Sequence, residues 1–196
     1  MLLFLSINLE TREKFMRKSE KKEALLQVAE RLFYEHGFKG VGLKQIIKEA
    51  DVATMTLYNH FSSKEQLVEE VLKKREERYW EYLDNAIIEE KKNPFISIVK
   101  AHGKWLEEQS NQGDMFLRAI EDYAGTNNEI EMIARSHKQN LLMYLQKIVD
   151  HTDAELEKNL AFQFTLLLEG ATSMTTLIGA DKATIYSLAI ANKILS

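Results

Sequence analysis

Residues 43–64 read LKQIIKEADVATMTLYNHFSSK, and the order of apolar, short and charged side chains here decides the architecture of the chain. Leu43, Ile46, Ile47 and Ala50 recur at three- and four-residue steps, which puts them on one side of a helix of about two turns. Ala50-Asp51-Val52 interrupts that period. A second short helix follows from about Ala53 to His60. In it Leu57 and Phe61 lie one turn apart on one face, and the other face is polar and short-chained. A bracing helix, a tight turn and a second helix with a free polar face together allow one helix to lie in the DNA major groove, about 12 Å wide, while the other supports it.

The flanks extend the same pattern. Upstream, Leu25, Val28, Ala29, Leu32 and Phe33 form one helical stripe between Lys22 and His36, and Gly37 stands where a helix closes on a left-handed residue. Downstream, Ser62-Ser63-Lys64-Glu65-Gln66 offers two overlapping capping boxes, Ser62 with Glu65 and Ser63 with Gln66. They open a helix that Leu67, Val68, Val71 and Leu72 carry toward Lys92. Asn93-Pro94 starts the next helix, which runs to about Ser110. Breaks at 111–114, 125–128, 151–153 and 179–181 divide the remainder into segments at 115–123, 129–150, 154–178 and 182–195. The reading predicts an all-α chain of about nine helices, with no apolar runs of period two.

Composition agrees and excludes several classes. The 196 residues suffice for a real core, and one proline and eight glycines leave few interruptions for helices. The net charge of −4 is unevenly spread. Residues 1–64 carry 11 Lys+Arg against 8 Asp+Glu, and residues 65–196 carry 15 against 22. Only the front of the chain is therefore suited to a polyanion. The absence of cysteine excludes disulfides, Cys-containing zinc sites and thiol catalysis, and it fits a reducing cytoplasm. The opening MLLFLSI is apolar but falls far short of the roughly 20 residues of a membrane span. Residues 1–15 are expected to be a peripheral extension.

The stretch from Leu25 to Leu67 resembles the DNA-binding domain of the TetR/AcrR family of transcriptional regulators. The residues that carry the resemblance are Ala29-Glu30-Arg31-Leu32-Phe33, Gly37-Phe38, Ile46, Ala50, Thr56-Leu57-Tyr58-Asn59-His60-Phe61 and Ser63-Lys64-Glu65. It implies a helix-turn-helix domain over 16–66, joined by a long helix to a helical effector-binding and dimerisation domain over 67–196. It also implies that Ala53, Thr54 and Met55 meet base edges with Thr56 beside them, and that Tyr58, Asn59 and His60 meet phosphates or flanking bases. Lys64 and Lys44 are placed on the DNA backbone, Lys64 at a helix start that itself favours phosphate. Two positions depart from the family pattern. Met55 stands where a small residue is common, and Gly42 stands near the place of a hydroxyl cap. Further basic residues, Arg12, Lys14, Arg17, Lys18, Lys21, Lys22 and Lys39, are interleaved with Glu10, Glu13, Glu20 and Glu23.

For the C-terminal domain the resemblance implies an apolar effector pocket with a few polar anchors. The residues assigned to it are Trp105, Met115, Phe116, Ile120, Tyr123, Met143, Phe162 and Leu166, with His102, Glu121, His137 and Glu169 as the polar members. Dimerisation through the last two long helices is assigned to Leu156, Leu160, Phe164, Leu167, Leu168, Ala171, Thr175, Ala183, Tyr186, Ala189, Ile190 and Lys193. The implied partners are near-palindromic double-stranded operator DNA, a small-molecule effector and a second copy of the chain. No cofactor, metal or membrane is implied. Enzymatic readings find no support in the sequence. The glycines at 37, 40 and 42 reverse the spacing of a dinucleotide fingerprint and follow a helix, and none of the five histidines lies three residues after a glutamate. The alternative to a regulator is a helical interaction module without DNA binding.

Overall fold

The structure, a computed structural model, describes residues 2–89, 93–149 and 159–196, with side chains from Ser19 onward. The described residues form nine helices and no strand: α1 (Leu2–His36), α2 (Leu43–Glu49), α3 (Thr54–Tyr58), α4 (Lys64–Glu89), α5 (Pro94–Gln109), α6 (Met115–Tyr123), α7 (Asn128–Val149), α8 (Leu160–Ile178) and α9 (Ala180–Ile194). The extension at 2–15 is part of α1. Two compact units divide inside α4, at Met1–Val71 and Leu72–Ser196.

In the first unit the apolar stripe of α1 meets the apolar sides of α2 and α3. Leu25, Ala29, Leu32, Phe33, Ile46, Leu57, Phe61 and Leu67 are all buried, and the rings of Phe33 and Phe38 pack 5.4 Å apart. Burying this many large side chains drives the unit together, at about 1.5–3 kcal/mol for each one fully removed from water. One polar strut fixes the angle of α2: Arg31 of α1 donates to Glu35 at 3.2 Å and to Glu49 at 2.5 Å. α1 closes as its sequence predicts, the Gly37 amide donating to the Phe33 carbonyl at 2.9 Å.

In the second unit α5 is framed by α8 and α9, α6 packs on α7, and α7 packs on α8. Helix starts follow the capping chemistry. Asn93 accepts from the Ile96 amide ahead of Pro94, Asp114 accepts from the Phe116 and Leu117 amides, and Asn127 accepts from the Glu129 and Ile130 amides. The last break is shorter than expected. Gly179 alone makes it, at φ 85°, so α9 begins at Ala180 and Asp181 falls in its first turn, where the helix dipole favours a carboxylate. The part of the predicted segment at 154–178 that precedes Asn159 lies outside the described residues.

Candidate functional site

The geometry of α2, the turn and α3 follows from which side chains are buried. α3 ends early because its last turn tightens, the His60 amide donating to the Leu57 carbonyl at 2.9 Å as the Phe61 amide does. Leu57 and Phe61 are buried and anchor the helix to the first unit. The opposite surface is therefore free: Ala53, Thr54, Met55, Tyr58 and Asn59 are exposed, with Met55 at 67% and Tyr58 at 52%. Thr56 and His60 are half-buried. Asp51 carries the turn at φ 51°, a left-handed conformation that aspartate tolerates better than most residues.

Lys44 is exposed on α2. Lys64 begins α4, half-buried, its ammonium 5.9 Å from the centroid of the Phe33 ring. Ahead of it the two predicted capping boxes merge into one. Ser63 Oγ accepts from the Gln66 amide at 3.1 Å, while Gln66 Oε1 accepts from the Ser62 amide at 2.6 Å and from its hydroxyl at 2.9 Å. Glu65 is therefore not needed as a cap. Lys22, among the basic residues near the front, is a strut: it donates to Glu70 at 2.9 Å and lies 5.6 Å from the Phe61 ring centroid.

The pocket residues expected in the second unit separate into two groups. His102, Trp105, Met115, Phe116, Tyr123 and His137 are buried, and Ile120 and Glu169 are half-buried. Met143, Phe162 and Leu166 are 54–74% exposed and Glu121 is exposed, so the structure does not bring them into the interior. Tyr79 ties the interior group together, its ring 5.9 Å from that of His102, 5.4 Å from Trp105 and 5.4 Å from His137. Phe116 stacks on His137 at 3.7 Å. Sequence reading missed Tyr79, Glu76, Trp80 and Lys138. The first three sit on α4, read there as a connector, and a lysine in mid-helix gives no sign of burial.

The polar groups of this interior are mostly matched. His102 Nε2 donates to the Leu168 carbonyl at 3.0 Å and also reaches Thr172 Oγ1 at 3.1 Å, and the Tyr79 hydroxyl donates to Nδ1 at 3.0 Å. That neutral tautomer is enforced by burial, which lowers the His102 pKa to about 4. Burial likewise pushes the Tyr79 hydroxyl well above its ordinary value and keeps it a donor. Lys138 bridges Asp114 and Glu169, at 2.7 Å to Glu169 Oε2. Burial alone would lower this ammonium, but the two carboxylates raise it above the usual lysine value. Asp114 is lowered, Lys138 outweighing the burial that opposes ionisation.

The expected interface set needs correction. Leu160, Phe164, Leu168, Ala171, Thr175 and Ala183 are buried inside the protomer, because α8 and α9 first use one side to cover α5 and each other. Leu167 is half-buried, and Leu156 lies outside the described residues. Tyr186, Ala189, Ile190 and Lys193 face outward. Tyr186 and Ile190 line an apolar groove of about 540 Å³ between α8 and α9, together with Leu166, Gly170 and Met174 among others.

A short, buttressed helix offering an exposed polar face beyond a tight turn defines the first unit as a helix-turn-helix domain. Residues 25–71 match the family model for bacterial regulatory proteins of the tetR family. The N-terminal domain is thus similar to the DNA-binding domain of that family. Residues of the chain are 38% identical over 72 positions to the HTH-type transcriptional repressor KstR2 of Mycolicibacterium smegmatis, 35% of each protein. They are 41% identical over 63 positions to the HTH-type transcriptional regulator LmrA of Bacillus subtilis, 32% of this chain and 34% of that one. The chain thus spans about a third of the length of the curated relatives it matches. These relatives are regulators, a class that does not catalyse.

Structural likeness extends further. A TetR-family regulator from Streptomyces coelicolor superposes with a TM-score of 0.79 over 90% of this chain and 95% of that one at 21% identity. The reduced form of NemR from E. coli does so at 0.75 over 89% and 97% at 17% identity. These resemblances concern the fold of both units. Among the described residues no helix is long and apolar enough to cross a membrane.

Proposed function

We propose that the protein is a homodimeric, sequence-specific DNA-binding regulator that represses transcription and leaves its operator when a small molecule occupies the second unit. The observation that carries the reading is the outward face of α3. Five residues of Ala53–Asn59 are exposed around a helix fixed by Leu57 and Phe61, inside the segment that matches the family model. In this reading Ala53, Thr54, Met55 and Thr56 meet base edges, while Tyr58, Asn59, His60, Lys44 and Lys64 hold phosphates. Met55 supplies an apolar, polarisable contact for thymine methyl groups.

Dimerisation uses the outward sides of α8 and α9. Phe162, Leu166, Leu177, Ile185, Tyr186 and Ile190 are 48–76% exposed there, an unusual amount of apolar surface to leave in water. An isologous contact spaces two recognition helices by about 34 to 40 Å, one DNA turn or somewhat more, and demands a near-palindromic operator. The effector acts by shifting the population of α4 arrangements, since α4 begins at Lys64 and also carries Tyr79 into the interior cluster.

The test is a mobility shift with DNA from upstream of the protein's own gene. A specific complex that weakens steeply with salt is expected. Tyr58→Ala and Lys64→Ala should weaken binding to all sequences by roughly 1 kcal/mol or more, whereas Thr54→Ala and Met55→Ala should change which base pairs are preferred. Variants that bind every sequence like the parent sink the site assignment. Absence of any specific complex leaves the interaction-module reading standing.

A further inference from the structure

One buried polar atom in the second unit is unsatisfied, and it stands beside a carboxylate. His137 is 6% exposed, and its Nδ1 is buried with no hydrogen-bond partner. Glu76 Oε1 is 3.5 Å away, beyond the span of a formed hydrogen bond. Glu76 accepts from Asn140 Nδ2 at 3.1 Å. Burial pushes the Glu76 carboxyl up, but His137, Asn140 and Trp80 together hold it below the ordinary value, so it is charged at neutral pH.

Aromatic rings surround this pair. Phe116 stacks on His137, and the rings of Tyr79 and Trp80 lie 5.4 Å and 5.7 Å from it. Tyr144 packs on Trp80 at 5.3 Å. The cations of the region are engaged elsewhere: Lys138 with Asp114 and Glu169, Arg75 with the Gln109 carbonyl and the face of Trp105. Among the described residues Glu76 meets His137, Asn140 and Trp80 but neither a lysine nor an arginine.

We propose that this is the seat of the effector and that the effector is an organic cation with a flat, apolar body. The proposal rests on the regulator reading above and names the chemistry of its ligand. A protonated amine or amidine supplies the positive charge that the Glu76 carboxylate lacks, and the rings add cation–π attraction and stacking. An anionic ligand would set like charge against Glu76. Half-buried Trp80 is the ring that gives way to admit the ligand. Since Glu76 is on α4 while His137 and Asn140 are on α7, a ligand that takes over Glu76 removes one of the ties between α4 and α7.

Trp80 and Trp105 are the two tryptophans of the chain, and both lie in this cluster, so intrinsic fluorescence reports on it directly. The full chain is titrated near neutral pH with 2-phenylethylamine, benzamidine and the anion 3-phenylpropionate. A saturable fluorescence change and a raised Tm are expected with the amine or amidine and not with the anion. Glu76→Gln, which keeps an acceptor for Asn140, should weaken cation binding about tenfold or more. The proposal is overturned if the anion binds as tightly as the cations, if Glu76→Gln binds them like the parent, or if neither cation binds up to about 10 mM. The comparison of cation with anion on the parent chain decides the matter even if the variant does not fold. Operator binding measured on the same preparation separates the two readings. Operator binding without cation binding removes only the ligand chemistry, and absence of operator binding removes the regulator itself.

Discussion

His102 is the residue whose chemistry is most sharply set by its surroundings. An imidazole with one hydrogen bond accepted from Tyr79 and one donated to the Leu168 carbonyl is complete as a neutral ring, and charging it would cost burial without gaining a partner. The unfolded chain takes up a proton at this position near pH 6.5, the folded chain only near pH 4. Between those values the unfolded state binds more protons. The stability tied to neutral His102 is therefore complete above about pH 6.5 and lost as the pH falls toward 4, about 3 kcal/mol in all. Denaturant midpoints of the parent and of His102→Asn, followed from pH 7 to 4.5, should converge as the pH drops. Parallel curves would show that the ring is not held neutral. Met55 illustrates the opposite case: it is 67% exposed, so packing within the protomer places no demand on its identity.

At the scale of elements, α5 and α9 pack too closely at one point for any residue but glycine. A Cβ on Gly103 would collide with Cγ2 and Oγ1 of Thr184 and stand 2.9 Å from its Cβ. Thr184 is β-branched, so turning its side chain still leaves two heavy atoms on Cβ to accommodate, and it donates to the Ala180 carbonyl at 2.8 Å, a bond at risk if it turns. Gly103→Ala should therefore push the helices apart and cost about 1–3 kcal/mol in equilibrium unfolding, despite alanine's better helix propensity. Thr184→Ala in the same chain should recover part of that loss, a coupling that a double-mutant cycle measures. Additive effects would mean that α5 and α9 do not meet through this pair. The periodicity of α5 is clear in the sequence, but nothing local announces that residue 103 must lack a side chain.

For the whole molecule the decisive feature is that α8 and α9 are apolar on two sides. One side is consumed inside the protomer by Phe164, Leu168 and Ala183, and the other leaves Leu166 and Ile190 at 74% and 48% exposure. Leu166→Glu and Ile190→Glu should convert a dimer into monomers in sedimentation or light scattering, with little change in the protomer's secondary structure. Operator affinity should fall with them, because each half-site then binds alone. A chain that is already monomeric at micromolar concentration, or variants that remain dimeric, would dismiss this face as the interface.

Much was legible from the residues alone. Local signals suffice for helix ends, so Gly37, Asn93-Pro94 and Asp114 mark boundaries without reference to any tertiary contact. The helix-turn-helix was legible for the same reason, its spacing from Leu25 to Lys64 being fixed by short-range packing and caps. What the sequence could not decide is which of two apolar sides a helix turns inward, since periodicity gives a stripe but not its partner. Phe162 and Leu166 were thus read as pocket residues and proved exposed, while Phe164 and Leu168 were read as interface and proved core. Only tertiary packing brought Glu76, Tyr79, His102 and His137 together from three helices, because burial and hydrogen bonding between distant segments leave no mark on local spacing.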